Sequence, residues 1–216
     1  MDAKHLVDGL IMYLGLLVLL TFHEFGHAWM AWRCGDDTAR SQGRVSLNPL
    51  VHMELEGTVI LPLLMFLMPG AGKFLLGWAK PVPVNPHNLR NPKLDDILVT
   101  LAGPWMNLLL AVVLTGLARL GLVFHADKMV DLCLQMANFS LLLCFFNLIP
   151  IPPLDGSQVV RTAFGIPHET YHNIARYGFI ILIIALQIPQ LQTVLSAVTS
   201  KSFVVITGWF GIPFEF

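Results

Sequence analysis

The sequence predicts an all-α polytopic membrane protein, a bundle of about five to six transmembrane helices with a short β-hairpin and a re-entrant loop near the candidate site. Of its 216 residues, 55% are hydrophobic and only 12% are charged, whereas soluble domains carry about 25% charged residues. Several apolar runs reach the ~20 residues that a helix needs to cross a bilayer. The net charge of -1 excludes the basic surface of a nucleic-acid-binding protein. We expect one membrane-embedded domain over residues 1–216, with a core at 7–165 and accessory C-terminal helices at 171–213.

The first apolar run, from Val7 to Trp32, is long enough for a transmembrane helix and is interrupted only by a polar cluster at 23–27. A polar stretch follows from Cys34 to Glu56, in which SQGRVSLNP at residues 41–49 predicts a short strand or hairpin. The next apolar run, from Gly57 to Met68, is short for a full crossing.

Prolines interrupt the chain after this run. The segment AGKFLLGWAKPVPVNP at residues 71–86 cannot form a regular helix, because proline lacks the amide hydrogen and clashes with the preceding turn. Non-helical backbone at membrane depth is tolerated only where it is buried in protein or lines a wet cavity. We therefore expect Lys80 to Pro92 to form a re-entrant or interfacial loop.

The second half of the chain predicts three long helices and one short one. They are expected at Lys93–Leu122, Lys128–Leu148, Gly156–Phe164 and Tyr171–Ile188. Pro189 ends the last of these helices. A final apolar run, from Leu191 to Trp209, is interrupted by Lys201 and Gly208, so its crossing stays open.

The distribution of basic residues predicts an external N-terminus, because short cytoplasmic loops carry an excess of Lys and Arg. If the first helix runs from outside to inside, nine basic residues lie in the cytoplasm and four lie outside. The nine are Arg33, Arg40, Arg44, Lys73, Lys80, Arg90, Lys93, Arg161 and Arg176, and the four are Lys4, Arg119, Lys128 and Lys201. This orientation puts residues 23–27 and Asp155 near the cytoplasmic side of a cell membrane.

The polar cluster in the first helix has the pattern HExxH, with His23, Glu24 and His27 as its defining residues. Residues four apart lie on one face of a helix, so the two imidazoles can bind one zinc ion at about 2.0–2.1 Å. Glu24 can act as a general base on a water molecule and then as a proton donor to a leaving amine. A central acid in a membrane helix costs roughly 2.5–3.5 kcal/mol, so a metal partner explains this cluster better than hydrogen bonds within a helix bundle.

A catalytic zinc ion needs a third protein ligand, and Asp155 is the best candidate in the sequence. It follows a membrane helix in the segment NLIPIPPLDGSQ, on the same predicted side as the HExxH cluster. The preceding prolines restrict the backbone, and Gly156 allows a sharp turn. Taken alone, Pro-Leu-Asp-Gly would indicate only a turn.

Other polar residues have alternative roles. Asn147 and Asn107 could donate hydrogen bonds to the oxyanion of a tetrahedral intermediate or hydrogen-bond between helices. Both interpretations stay open for Asn147, and we favour the second for Asn107. His52 and Glu54 could form a second metal site, but we favour polar residues at the membrane surface or at the mouth of the site.

Five motifs, in order along the chain, resemble the site-2 protease family of intramembrane zinc metalloproteases. They are HEFGH at 23–27, GRVSLNPLVHMELEGT at 43–58, GWAKPVPVNP at 77–86, LAGPWMN at 101–107 and NLIPIPPLDG at 147–156. The match most resembles the small prokaryotic members that lack a PDZ domain. The chain departs from the family in one loop, where the usual HxDPxG reads HMELEG at 52–57, so we expect a different local shape there.

The resemblance implies that one Zn²⁺ per chain is bound by His23, His27 and Asp155, with Glu24 as the catalytic acid/base. It also implies that Asn147, with a contribution from Asn107, stabilises the oxyanion. The implied activity is hydrolysis of peptide bonds in or near transmembrane segments. Implied substrates are anti-sigma factors, signal-peptide remnants and membrane-bound regulators. Two alternative functions are a divalent-metal transporter and an inactive homologue that binds membrane substrates.

Overall fold

A computed structural model describes residues 3–67 and 77–212 of the chain, and the regular elements in these two ranges are all helical. The all-α class is therefore confirmed. The chain divides into two compact units, Met1–Pro92 and Lys93–Phe216. The expectation of a single membrane-embedded domain stays a prediction.

The first unit begins with α1, Ala3–Arg33, which contains the candidate span Gly9–Arg33. Buried residues on α1 recur at positions 16, 19, 20, 23 and 27, a spacing of three or four that places them on one helical face. Exposed Leu and Val side chains at positions 7, 10, 14 and 18 occupy another face, which suits contact with lipid. The helix is followed by Gly35, whose φ of +108° favours glycine.

The polar stretch after α1 and the short apolar run that follows it are built from short helical pieces. They are α2 (Thr38–Ser41), a 3₁₀ turn (Pro49–Val51), a π-helical turn (Leu55–Ile60) and α3 (Leu61–Leu67). The hairpin expected at residues 41–49 is absent, since these residues form a helix end, turns and bends. Its polar groups bond elsewhere: Arg44 donates to the carbonyls of Lys80 and Pro81, and the side chain of Asn48 accepts from the amide of Leu50.

The proline-containing segment at residues 77–85 is extended and non-helical, as its sequence predicts. Its backbone pairs with the loop before it, because Lys80 donates to His52 at 2.8 Å and Trp78 donates to Gly57 at 3.3 Å. A Cβ atom on Gly57 would lie 2.4 Å from the indole nitrogen of Trp78. Only glycine therefore allows this close approach of the two segments. The expected re-entrant depth of the segment in the membrane stays a prediction.

The second unit is organised around α4 (Pro92–Val123), α5 (Asp127–Asn147) and α9 (Pro189–Trp209). The bounds of α4 and α5 agree with the sequence prediction to within one residue at each end. Small and large apolar side chains of the three helices interlock in one cluster. Its buried members are Ala111, Ala137, Leu141, Phe203 and Ile206. Alanines at such contacts let helix backbones approach closely, as is usual in membrane bundles.

Three shorter helices lie between α5 and α9, namely α6 (Asp155–Phe164), α7 (His168–Ala175) and α8 (Gly178–Ala185). The short helix expected at Gly156–Phe164 is confirmed. The continuous helix expected at Tyr171–Ile188 is wrong, because the chain turns at Arg176 and Tyr177. At this turn Gly178 packs so closely on residue 152 that an added Cβ would lie 2.6 Å from the carbonyl oxygen of Pro152.

Within the described residues, three helices are long and apolar enough to cross a membrane: Gly9–Arg33, Pro92–Val123 and Asp127–Asn147. The α8–α9 pair is bent by 82° at its break and would add a fourth crossing if it forms one span. The described helices thus support a multi-pass membrane protein. The expected number of five to six crossings is not confirmed.

Candidate metal centre

His23 and His27 bring two imidazole nitrogens together on the buried face of α1. Their Nε2 atoms lie 3.1 Å apart, their ring centroids are separated by 4.7 Å, and the rings meet nearly edge to face. Both residues are buried, at 5% and 8% exposure. Two nitrogens bound to one zinc ion at about 2.0–2.1 Å with a tetrahedral angle would lie about 3.3–3.4 Å apart. The pair therefore fits zinc with a shift of a few tenths of an ångström.

Glu24 follows the first of these histidines on α1 and lies near two basic residues of the first unit. Burial lowers the pKa of the Arg44 guanidinium from its usual value, while the negative charge of Glu24 acts in the opposite direction. Glu24 and Arg44 also act electrostatically, with opposite signs, on the pKa of His52. Glu24 thus interacts electrostatically with two side chains of the loop that follows α1.

Arg44 is a residue of this site that sequence reasoning missed. It is only 4% exposed, and its guanidinium donates to the carbonyl oxygens of Lys80 and, at 3.3 Å, Pro81. Arg44 therefore links the loop after α1 to the extended segment at 77–85. One signal in the sequence was its place in the motif GRVSLNPLVHMELEGT at 43–58, but an arginine within a polar stretch is typical of a solvated residue.

His52 is a buried loop anchor with 2% exposure. Its Nε2 atom donates to the carbonyl of Ser46 at 2.8 Å. Burial lowers the pKa of His52 from its usual value; the Ser46 hydrogen bond opposes this shift, and the charge of Arg44 adds to it. The Nε2 hydrogen bond fixes the ring of His52 against the preceding loop, and its burial places the ring inside the first unit.

Asp36 fixes the loop that follows the HExxH helix. Its carboxylate is completely buried and accepts hydrogen bonds from the backbone amides of Thr38 (3.0 Å) and Asn85 (2.7 Å) and from the side chain of Asn88 (3.0 Å). Burial alone would raise the pKa of this carboxyl, but these hydrogen bonds outweigh it and hold the pKa below its usual value. The end of α1 is thereby tied to residues 85–88.

The other candidate residues lie in the second unit. Asp155 is the first residue of α6, and Gly156 lies so close to the end of α5 that a Cβ would be 2.2 Å from the carbonyl oxygen of Leu148. Asn147 is the last residue of α5, and its side-chain amide donates to the carbonyl of Leu143 at 2.9 Å. One of its two N–H donors remains for another acceptor.

Asn107 lies at the contact of α4 and α5 and is completely buried. The hydroxyl of Ser140 donates to its backbone carbonyl at 2.7 Å. This bond crosses between the two helices, although it uses the backbone of Asn107 and not the side-chain amide.

Comparison with known proteins agrees with this chemistry. The model of peptidase family M50 matches residues 11–126 and 123–186. YwhC of Bacillus subtilis, which bears the name of a zinc metalloprotease, is 33% identical over 81% of this chain and 78% of its own length. Two Rip2 proteins with the same kind of name, from Mycolicibacterium smegmatis and Mycobacterium tuberculosis, are 34% and 33% identical over 85% and 82% of this chain and 69% and 67% of theirs. No solved structure matches the chain. The chain therefore belongs to peptidase family M50, the site-2 protease family of zinc metalloproteases.

Proposed function

We propose that this protein hydrolyses peptide bonds in or near the transmembrane segments of other membrane proteins. The observation that carries this proposal is the 3.1 Å approach of the His23 and His27 Nε2 atoms, inside an apolar helix and beside Glu24. Membership of peptidase family M50 supports the same reaction. Polar groups that are expensive within a membrane are retained where they perform chemistry.

Asp155 is proposed as the third ligand of the zinc ion, with His23 and His27 as the other two. Two histidines and one carboxylate are a usual donor set for a catalytic zinc site. When bound, zinc supplies a Lewis acid that polarises the scissile carbonyl and lowers the pKa of water. The position of Asp155 at the tightly packed start of α6 suits a ligand whose carboxylate must be held in one direction.

Glu24 takes a proton from the attacking water and delivers it to the leaving amine of the cleaved bond. Its place next to His23 on α1 keeps it close to the metal ligands without using it as one. Asn147 directs its remaining amide N–H to the developing oxyanion of the tetrahedral intermediate. The family resemblance implies a secondary contribution of Asn107 to the same oxyanion, whereas its complete burial at the contact of α4 and α5 supports a role between the helices.

The active site is proposed to lie near the cytoplasmic side of the cell membrane, with the N-terminus outside. The excess of basic residues on one set of loops supports this orientation. The HExxH cluster is near the C-terminal end of α1, so an α1 that runs from outside to inside places the cluster near the cytoplasmic side. Two further crossings, by α4 and α5, return the chain to that side before Asp155.

The substrates are proposed to be transmembrane proteins such as anti-sigma factors, signal-peptide remnants or membrane-bound regulators. A helical peptide bond is shielded by its own turn, so the substrate must unwind before cleavage. The extended backbone at residues 77–85 could supply main-chain partners to an unwound peptide by strand addition.

Glu24→Gln and Asp155→Asn separate this proposal from its alternatives. Purified Glu24→Gln protein should keep its zinc and lose cleavage of fusions that carry a membrane segment. Asp155→Asn should lose both. Glu169→Gln is the matched control, because Glu169 is an exposed carboxylate on α7, and it should retain wild-type zinc content and rate.

Full cleavage by Glu24→Gln would refute its role as acid/base. A wild-type protein that carries divalent ions across vesicles without cleaving any substrate would be a transporter. A wild-type protein that binds membrane segments but never cuts them would be an inactive homologue.

A further inference from the structure

Asp155 lies on α6, a helix that is too short to be stable without contacts to other helices. The α6 helix has ten residues, and isolated helices below about 12–15 residues are marginal. Contacts with the rest of the second unit must therefore set its orientation. Several of these contacts are polar and are made by Ser157, Arg161 and Thr162.

The first anchor joins the C-terminal half of α6 to α4. Arg161 donates to the carboxylate of Asp96 at 2.7 Å, and the hydroxyl of Thr162 donates to the same oxygen. Arg161 and Asp96 are both 8% exposed. A buried ion pair adds little net stability, because desolvation offsets the attraction, but its hydrogen bonds are strongly directional.

The second anchor joins the N-terminal half of α6 to α7. The hydroxyl of Tyr171 lies 2.9 Å from that of Ser157, and the ring of Tyr171 lies 5.5 Å from the guanidinium carbon of Arg161. Ser157 and Arg161 are four residues apart and so share one helical face. Ser157 in turn donates to the carbonyl of Leu154 at 2.7 Å, the residue directly before Asp155.

We propose that Asp96, Arg161, Tyr171 and Ser157 form a positioning framework that fixes the direction of the Asp155 carboxylate. This inference rests on the proposed role of Asp155 as a zinc ligand. The contacts run without interruption from α4 through Arg161 and Tyr171 to the backbone before Asp155. Replacing a residue that hydrogen-bonds directly to a metal ligand typically changes metal affinity about 10–100-fold, and we expect the lower end of this range here, because the framework acts through the backbone before Asp155.

The test measures zinc affinity by competition with a chromogenic chelator, on full-length, metal-stripped protein in detergent. Tyr171→Phe removes one hydroxyl and keeps the ring, and Asp96→Asn removes the charge that pairs with Arg161. Both should weaken zinc binding, by about tenfold or more for Asp96→Asn. Asp131→Asn is the control, because Asp131 is an exposed carboxylate on α5, and it should bind zinc as the wild type does.

Further readouts distinguish positioning from a general structural role. With zinc in excess, kcat should fall while KM stays constant, because the proposed framework acts on a metal ligand and not on substrate binding. If Asp96→Asn does not fold, Tyr171→Phe carries the test, since a ring-preserving change leaves packing intact.

Suppose that folded Tyr171→Phe and Asp96→Asn bind zinc with wild-type affinity, while Asp155→Asn does not bind zinc. This result would overturn the framework but not the ligand assignment. Wild-type affinity in Asp155→Asn would overturn the ligand assignment and the framework with it. The two failures are therefore distinguishable.

Discussion

The close approach of His23 and His27 follows from helix periodicity alone. Residues four apart in an α-helix lie one turn above each other, and α1 continues without a break through the HExxH cluster. The separation of their Nε2 atoms at 3.1 Å is thus a local property that the sequence predicts. The buried position of Arg44 is not local, because its hydrogen-bond acceptors are 36 and 37 residues away.

The lowered pKa of His52 predicts that acid destabilises the first unit. The unfolded chain takes up a proton near pH 6.5, whereas folded His52 resists protonation. His52 therefore does not lower the free energy of unfolding above pH 6.5. Below pH 6.5 this free energy decreases until the folded pKa of His52 is reached, and His52 accounts for at most about 1.4 kcal/mol per pH unit. Thermal unfolding of wild type and His52→Gln should diverge between pH 7.5 and 5.5, with the wild type losing more stability.

Glutamine is a suitable replacement because its amide can still donate to Ser46 and does not titrate. Parallel pH profiles for the two proteins would show that His52 is not the group responsible.

The carboxylate of Asp36 predicts a second effect at the residue scale. Asp36→Asn would turn an N–H group toward the donating amide of either Asn85 or Thr38, and we expect a loss of about 1–3 kcal/mol. Asp37→Asn is a neighbouring control, since Asp37 is exposed and lies 3.7 Å from an exposed Arg40, a kind of pair that contributes little. Thermal unfolding and limited proteolysis near residues 85–90 measure the difference. Equal stability of the two variants would contradict the anchoring role.

At the level of elements, the long helices α4 and α5 and the short helix α6 were predicted from the sequence, whereas the division of the 171–188 segment was not. The bounds of α4 and α5 follow from continuous apolar runs that are long enough to cross a bilayer. The expected Tyr171–Ile188 helix failed because a helical pattern does not reveal a turn that tertiary packing imposes at Gly178. The expected hairpin at 41–49 failed because side chains bond to the backbone there.

The junction of α5 and α6 predicts that Gly156→Ala is strongly destabilising. An alanine Cβ would meet the backbone of Leu148 at 2.2 Å, so the two helices must separate. We expect a loss of about 3 kcal/mol, at the upper end of the usual overpacking range, together with weaker zinc binding. Thermal unfolding and metal analysis test both effects.

Gly208→Ala is the matched control for this prediction. Gly208 lies in α9 with nothing within 4 Å of an added Cβ, so alanine should leave stability unchanged or raise it slightly through helix propensity. Equal unfolding temperatures for Gly156→Ala and Gly208→Ala would contradict the packing argument.

At the scale of the whole molecule, the proposed orientation predicts which loops face the cytoplasm. Two single-cysteine substitutions test this orientation, Gln42→Cys and Met129→Cys. Gln42 lies in the loop after α1, Met129 lies near the start of α5, and both native residues are exposed. A membrane-impermeant maleimide on intact cells should label Met129→Cys, and should label Gln42→Cys only after permeabilisation. The wild type gives the background, because Cys34, Cys133 and Cys144 are buried. The reverse labelling pattern would invert the orientation.

The sequence by itself determined the membrane class, the three long spans, the HExxH pair and the family, because composition, run length and helical spacing are properties of neighbouring residues. Tertiary structure alone decided that Arg44, His52 and Asp36 are buried anchors, that the 41–49 loop is not a hairpin, and that the helix at 171–188 is divided. Arg44, Asp36 and the turn at Gly178 depend on partners many residues away, and the free energy of such contacts is absent from any local pattern.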